Sequence, residues 1–231
     1  MKIRYGSTTG NNSLSVAIIG DLFACRSFPS VVSSFSTDNA TFSLMCSENY
    51  SMLSKDSEIT ASLHDFIASS NPNITFLATR ERSLMNLPPN TDPHLDSFAR
   101  NIRFLSENTA YLVMLTPVFQ QSLFDHYYWK KRFMGPTYLI VKKLYRQPEN
   151  PDLKDFQISK ESYDISQSMY RSYLSSHNGS NIMILDLDTP MCDADGFCAM
   201  YNAKNMHGYY NEIDGSLTSE GYARMEATFR D

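Results

Sequence analysis

No stretch of the 231 residues approaches the roughly 18 uncharged apolar positions that mark a membrane-crossing helix, so no span is expected. The opening residues 1–15, MKIRYGSTTGNNSLS, lack the apolar core of a secretory leader. Basic clusters are scarce: KKR at 130–132 stands alone in a chain of net charge −5. A nucleic-acid footprint needs a basic face, so KKR reads as a solvated patch and no nucleic-acid partner is expected. Cysteine is sparse at four residues, with no CxxC and no closely spaced His pair, which argues against zinc. Neither an internal repeat nor a low-complexity tract is evident.

What is present is the composition of a folded chain: 42% hydrophobic, 13% aromatic and only 19% charged residues. Disorder goes with few aromatics and high charge. The length suits one domain, or at most two small ones, and buries a sizeable core without staples. Cys192 and Cys198 flank a turn-rich loop, Asp-Ala-Asp-Gly-Phe, that a disulfide could close; two free thiols fit the spacing equally. Five glycosylation sequons begin at Asn11, Asn39, Asn49, Asn73 and Asn178. Their small excess over chance favours a secretory-pathway chain, while the missing leader favours the cytoplasm or a chain delivered by another segment.

Hydrophobic patterning alternates between two kinds. Short apolar runs at 15–21, 41–46, 74–79, 109–118 and 181–188 predict strands buried on both faces. Between them, 23–34, 54–70, 92–107 and 159–176 predict helices, the second through Ile59, Leu63, Phe66 and Ile67 at helical spacing. Pro29 is expected to disturb the first helix. A last helix is expected from Thr218 as N-cap, with Gly221 as its third residue. Residues 1–14 read as a polar arm. Strands alternating with helices predict an α/β fold: a flavodoxin-like, doubly wound, five-stranded parallel sheet. Ligands of such sheets bind beyond the carboxyl ends of the strands. Those ends place chemistry at Gly20 and Asp21, at residues 46–50, 79–82 and 116–117, and at 186–210.

Two segments carry a family resemblance. SVAIIGDLFACRSFPSV (15–31) resembles the opening block of SGNH (GDSL-type) hydrolases, where a strand runs into Gly-Asp/Asn-Ser and then a helix. It is closer still to the SGNH domain that follows the membrane-embedded part of many O-acyltransferases (acyltransferase family 3). The segment from 184 to 225 is similar to the closing block of an animal branch of that family: Cys198, Tyr201, Asn205, Tyr209 and Tyr210 match one spacing, and Leu217, Thr218 and Gly221 match its end. The agreement covers strand order, both terminal blocks and the cysteine loop, and the middle third is generic. The resemblance implies a single SGNH-like domain over 15–231, acyl transfer or ester hydrolysis as family activity, no cofactor, and an extracytoplasmic location. It also implies a membrane acyltransferase as partner, since this chain has no membrane part.

The departures bear on mechanism. The family nucleophile is a Ser after the Gly-Asp turn; here it is Leu22, which has no proton to give and no lone pair to attack with. The family base is a His before Leu-Thr; here it is Ser216, a hydroxyl that cannot act as a base near neutral pH. Asp214 is retained without a His to orient. The oxyanion donors expected after the second and third strands are replaced by Cys46-Ser47-Glu48-Asn49 and Thr79-Arg80-Glu81-Arg82. The chain therefore reads as a catalytically inactive member with no metal site.

An active enzyme with a relocated nucleophile is the alternative, drawing on Ser27, Cys25 or His207, each with a plainer reading as a core, disulfide or loop residue. His94, in DPHLDS, opens a mid-chain helix and is a decoy. Asp186, Asp188, Asp193 and Asp195 are read as strand-end and turn carboxylates, because Lys204 stands where a calcium loop counted from Asp193 needs Glu. Arg80 and Arg82 could hold an anion or simply pair with Glu81 or Asp92. A further alternative, a glycan- or partner-binding module, rests on Tyr127, Tyr128 and Trp129.

Overall fold

The computed structural model describes residues 4–8, 14–35, 40–47, 57–79, 93–115, 142, 145–146, 157–161, 164, 171–172, 174–177, 179–185, 192, 196–199, 201–202, 204–205, 207–209 and 218–230. In chain order these form β1 (Arg4–Thr8), β2 (Leu14–Gly20), α1 (Leu22–Ser34), β3 (Ala40–Cys46), α2 (Ser57–Ser70), β4 (Ile74–Ala78), α3 (Pro93–Glu107), β5 (Tyr111–Leu115), β6 (Gln157–Ser159), β7 (Ile182–Leu185), β8 (Phe197–Ala199) and α4 (Ser219–Arg230). Lys160, Glu161, Asp164, Arg171, Ser172, Leu174 and Ser175, from the stretch expected to be helical at 159–176, are helical. The chain divides into two compact units, one of residues 1–117 with 168–186 and the other of 118–167 with 187–231.

The first unit carries the main sheet, in the order β1-β3-β2-β4-β5-β7. Its last five strands are parallel, with helices in the connections, as the alternation of patterns predicts. The chain starts in the middle of this parallel set: β2 is flanked by β3 on one side and β4 on the other. That reversal is the switch point beside which doubly wound sheets bind ligands. The sheet has a sixth strand, because β1, inside the segment expected to be a polar arm, pairs antiparallel with β3 from Arg4 opposite Cys46 to Thr8 opposite Phe42. Backbone hydrogen bonds suffice to hold an edge strand, so β1 needs no apolar run.

The helices bury the faces their spacing predicts. α2 turns Ile59, Leu63, Phe66 and Ile67 inward, and α3 does the same with Phe98, Ile102 and Leu105. These side chains pack with Ala17, Ile19, Met45, Leu77, Leu112, Met114 and Leu174 into one core. α1 runs through Pro29 rather than ending there. The ring is exposed, and only the bond to the Cys25 carbonyl four residues back is forfeited. Ser33 and Ser34 hydroxyls both donate to the Ser30 carbonyl near the helix end. In the second unit, β6 and β8 form a two-stranded antiparallel sheet.

One close approach sets the start of α1. Gly20 pairs with both Cys46 and Ala78 and has φ +155°. A Cβ there would run into the Ala78 carbonyl, with the Ala78 carbonyl carbon 2.7 Å away and Ala24 Cβ at 3.1 Å. Backbone cannot retreat as a flexible side chain can, so Gly20→Ala should cost on the order of 3 kcal/mol. Urea unfolding of the variant beside the wild type measures this, with a lower midpoint expected at unchanged m-value.

Candidate functional site

The carboxyl end of β2 passes into α1 through Asp21. Its carboxylate accepts the Phe23 N–H at 2.7 Å, the arrangement of a helix N-cap. Leu22 is the first residue of α1, so the sequence register of the opening block and the helix register agree. Asp21 N–H donates to the Ala78 carbonyl at 3.3 Å, and Cys25 N–H donates to the Asp21 carbonyl at 3.3 Å. On the other side of β2, Ser47 N–H donates to the Gly20 carbonyl at 3.2 Å. An oxyanion hole needs N–H groups aimed at the place where the anion forms. Those of Asp21 and Ser47 are instead committed to neighbouring carbonyls.

Two disulfides account for all four cysteines. Cys25, on α1, is bonded to Cys46 at the end of β3, 21 residues later. Of the plainer readings open to Cys25, the disulfide half is the one observed, and it removes the thiol as a nucleophile. Cys192 and Cys198 are bonded as well and also face each other in an isolated antiparallel bridge. Ser27 lies on the buried face of α1 at 0% exposure, and its hydroxyl makes no hydrogen bond among the described residues. A hydroxyl without access to solvent or a base cannot serve as a nucleophile. Thr79, just past β4 at the carboxyl end of the sheet, is likewise buried, its hydroxyl without a partner among the described residues.

The closing block is organised around Glu220, in the first turn of α4. Its Oε1 accepts the Asn202 side-chain amide at 2.6 Å and, more weakly, that of Asn205 at 3.5 Å. The Asn202 bond is the main reason its carboxyl titrates below the usual range; burial, the next largest effect, opposes it, and the Asn205 bond with the electrostatic influence of His207 and Arg224 reinforces it. The two asparagines also fold the loop: Asn202 Oδ1 accepts the Lys204 N–H, and Asn205 Oδ1 accepts the His207 N–H. Thr218 is the expected N-cap, its hydroxyl accepting the Gly221 N–H at 3.2 Å while donating to the Gly208 carbonyl at 2.7 Å. Tyr201 and Tyr209 of the matched spacing are buried. Burial raises the Tyr209 hydroxyl above its ordinary value, partly offset by Arg224, whose guanidinium lies 5.7 Å from the ring centre. His207 is exposed and makes no side-chain hydrogen bond among the described residues.

Asp214, Ser216, Leu217 and Tyr210 lie outside the described residues, as do Arg80, Arg82, Tyr127, Tyr128, Trp129, Asp186, Asp188, Asp193 and Asp195. Asn11, Asn39, Asn49 and Asn178 do also, whereas Asn73 is described and exposed. Among the described residues, no three His, Cys, Asp or Glu side chains gather as a metal site would require, and no helix is long and apolar enough to cross a membrane. The sequence reading missed the Glu220 and Asn202 pair. A glutamate in the first turn of a capped helix was its one available signal.

No family model matches the chain, and no curated protein matches it. Solved structures do. A GDSL-like lipase from Bacteroides thetaiotaomicron aligns at TM-score 0.52 and 12% identity, over 93% of this chain and 85% of that one. A protein of Slackia heliotrinireducens classed with the SGNH hydrolases aligns at TM-score 0.52 and 13% identity, over 95% and 98%. A catalytic mutant of an acetylxylan esterase from Geobacillus stearothermophilus aligns at 0.51 and 6%, over 93% and 91%. The chain has the SGNH-hydrolase fold, and at these identities the likeness is one of fold.

Because the folded Glu220 carboxyl titrates below the ordinary 4.5, its ionised form is favoured in the native state. That contribution is complete above the unfolded carboxyl's range and is lost as pH falls through the lowered folded value. Glu220→Gln should therefore flatten the acid limb of a thermal-midpoint-against-pH curve and leave the neutral plateau lower. An unchanged acid limb would mean that the asparagines do not hold the carboxylate in solution.

Proposed function

We propose that this chain is a non-catalytic domain of SGNH-hydrolase fold, related to the SGNH domains of O-acyltransferases and working outside the reducing cytoplasm. The observation that carries the reading is Leu22 at the first position of α1, directly after Gly20 and Asp21. Gly20 is held against the Ala78 carbonyl and Asp21 caps the helix, which supports the register that puts Leu22 at the nucleophile's place. Ser216 in place of the base removes the second half of the mechanism. Without a His at that position the chain lacks the proton transfer that alone is worth about 10²–10⁴-fold.

The reading with a relocated nucleophile loses support from the same region, since Cys25 is disulfide-bonded and Ser27 is fully buried. The pairing of all four cysteines supports an oxidising compartment, because such bonds are rare where glutathione keeps thiols reduced. A membrane O-acyltransferase as partner follows from the resemblance of the two terminal blocks.

The test is direct. The purified chain should hydrolyse a short-chain p-nitrophenyl ester no faster than buffer, and neither a fluorophosphonate nor a thiol-directed probe should label it. Leu22→Ser alone should leave the rate at background. Ester turnover by the wild type that disappears on substitution of any single Ser, Thr or Cys would overturn the reading.

A further inference from the structure

Among the sequons, Asn73-Ile74-Thr75 is the one whose structure can be followed, and it joins the sheet at the edge opposite the candidate site. Asn73 immediately precedes β4, at its amino end. Its backbone N–H donates to the Ser15 carbonyl at 2.8 Å, and its side-chain Oδ1 accepts the Ser15 N–H at 2.8 Å. Its carbonyl accepts the Tyr111 N–H at 3.0 Å and the Thr109 hydroxyl at 3.1 Å. One asparagine thus ties the starts of β2, β4 and β5 together. The residue is nevertheless exposed, and its Nδ2 makes no hydrogen bond among the described residues.

The third sequon residue is in the opposite situation. Thr75 is at 0% exposure inside β4, between β2 and β5, and its hydroxyl donates to Thr109 Oγ1 at 3.3 Å. Recognition of a sequon uses the hydroxyl of the third residue, presented by an unpaired chain. The folded sheet offers the acceptor nitrogen to solvent and withholds the hydroxyl.

We infer that Asn73 is an N-glycosylation site whose occupancy is decided before β4 is closed into the sheet. The donor is an oligosaccharide linked to a lipid diphosphate. The anomeric carbon bonds to Nδ2, its bond to the diphosphate oxygen breaks, that oxygen keeps the electron pair, and one Nδ2 proton is released. The product amide retains Oδ1, so the bond from Ser15 N–H and the glycan coexist. The strand that closes β4, β5, begins at Tyr111. Synthesis at about 5–20 residues per second leaves a few seconds in which the tripeptide is unpaired on that side. The glycan then projects from the amino edge, about 20 Å along the strand direction from Thr79 at the carboxyl edge, and leaves the candidate site open.

Use of the site in the native cell rests on the oxidising-compartment reading above, and the experiment separates the two. The full chain is expressed behind a cleavable leader in a eukaryotic secretory pathway, and the peptide containing Asn73 is read by mass spectrometry before and after enzymatic glycan release. Glycan on Asn73 is expected in the wild type and in Thr75→Ser, and none in Thr75→Val. Asn73→Asp, which keeps an acceptor for Ser15, should fold and should lose the same mass. Secreted, disulfide-paired wild type with a bare Asn73 overturns the site whatever the native location. In a second arm, folded chain made without glycans is offered to the transferase with its lipid-linked donor and should stay bare. Glycosylation of that folded chain at Asn73 overturns the order of events.

Discussion

The structure depends on the contact between the Gly20 backbone and the carbonyl of Ala78. β2 is the innermost point of the sheet's topology, with β3 on one side and β4 on the other, and at its end the chain must leave the sheet without room for a side chain. The turn delivers Asp21 to cap α1, and the cap fixes the phase of the helix. Phe23, Ala24, Ser27 and Val31 then face the sheet and are buried. Cys25 is placed within bonding distance of the last residue of β3. A disulfide closing a loop of this size is worth about 3 kcal/mol in the chain-entropy view, so the turn is held from two directions.

That constraint acts through the backbone alone. Glycine and aspartate are required at the turn by backbone geometry and helix capping, whether or not a nucleophile follows them. Position 22 has no comparable duty to the backbone, and a leucine there leaves the cap untouched. The N–H groups of Asp21 and Ser47 donate to the carbonyls of Ala78 and Gly20 and close the edge with hydrogen bonds. The buried hydroxyls of Ser27 on α1 and Thr79 beyond β4 have no hydrogen-bond partner among the described residues, a polar cost of this packing.

Much of this was legible in the sequence, for a reason that also explains what was not. Interior strands read as near-continuous apolar runs, so β2, β3, β4 and β5 announce themselves; β7 carries the same signal, but it ends the strand order and exposes Met183 and Ile184, so the expectation of burial on both faces fails there. Helices packed on one face show their period, as α2 and α3 do. β1 lacks both signals: it is a polar edge strand whose Tyr5 and Ser7 are exposed, held by backbone pairing to which side-chain pattern is blind. β6 and β8, at three residues each, are too short for any period. Pro29 looked like a break because the exposure of its ring is a tertiary fact. At the site, Gly20 and Asp21 were readable through the opening block, since local backbone geometry demands those residue types. The bond from Cys25 to Cys46 and the hydrogen bond from Asn202 to Glu220 join residues 21 and 18 apart, across segments whose approach only the fold decides.

The two ends of the parallel strands therefore divide the work of the sheet between them. At the carboxyl edge, glycine, a cap and a disulfide fix the turn that leads into α1. At the amino edge, Asn73 performs the joining with one side-chain oxygen and its backbone, binding Ser15, Thr109 and Tyr111. Both edges solve the same problem, which is to satisfy backbone groups where the ladder ends. They differ in what is left over. At the carboxyl edge the buried Thr79 hydroxyl has no hydrogen-bond partner among the described residues, while the amino edge presents the Asn73 amide nitrogen to solvent.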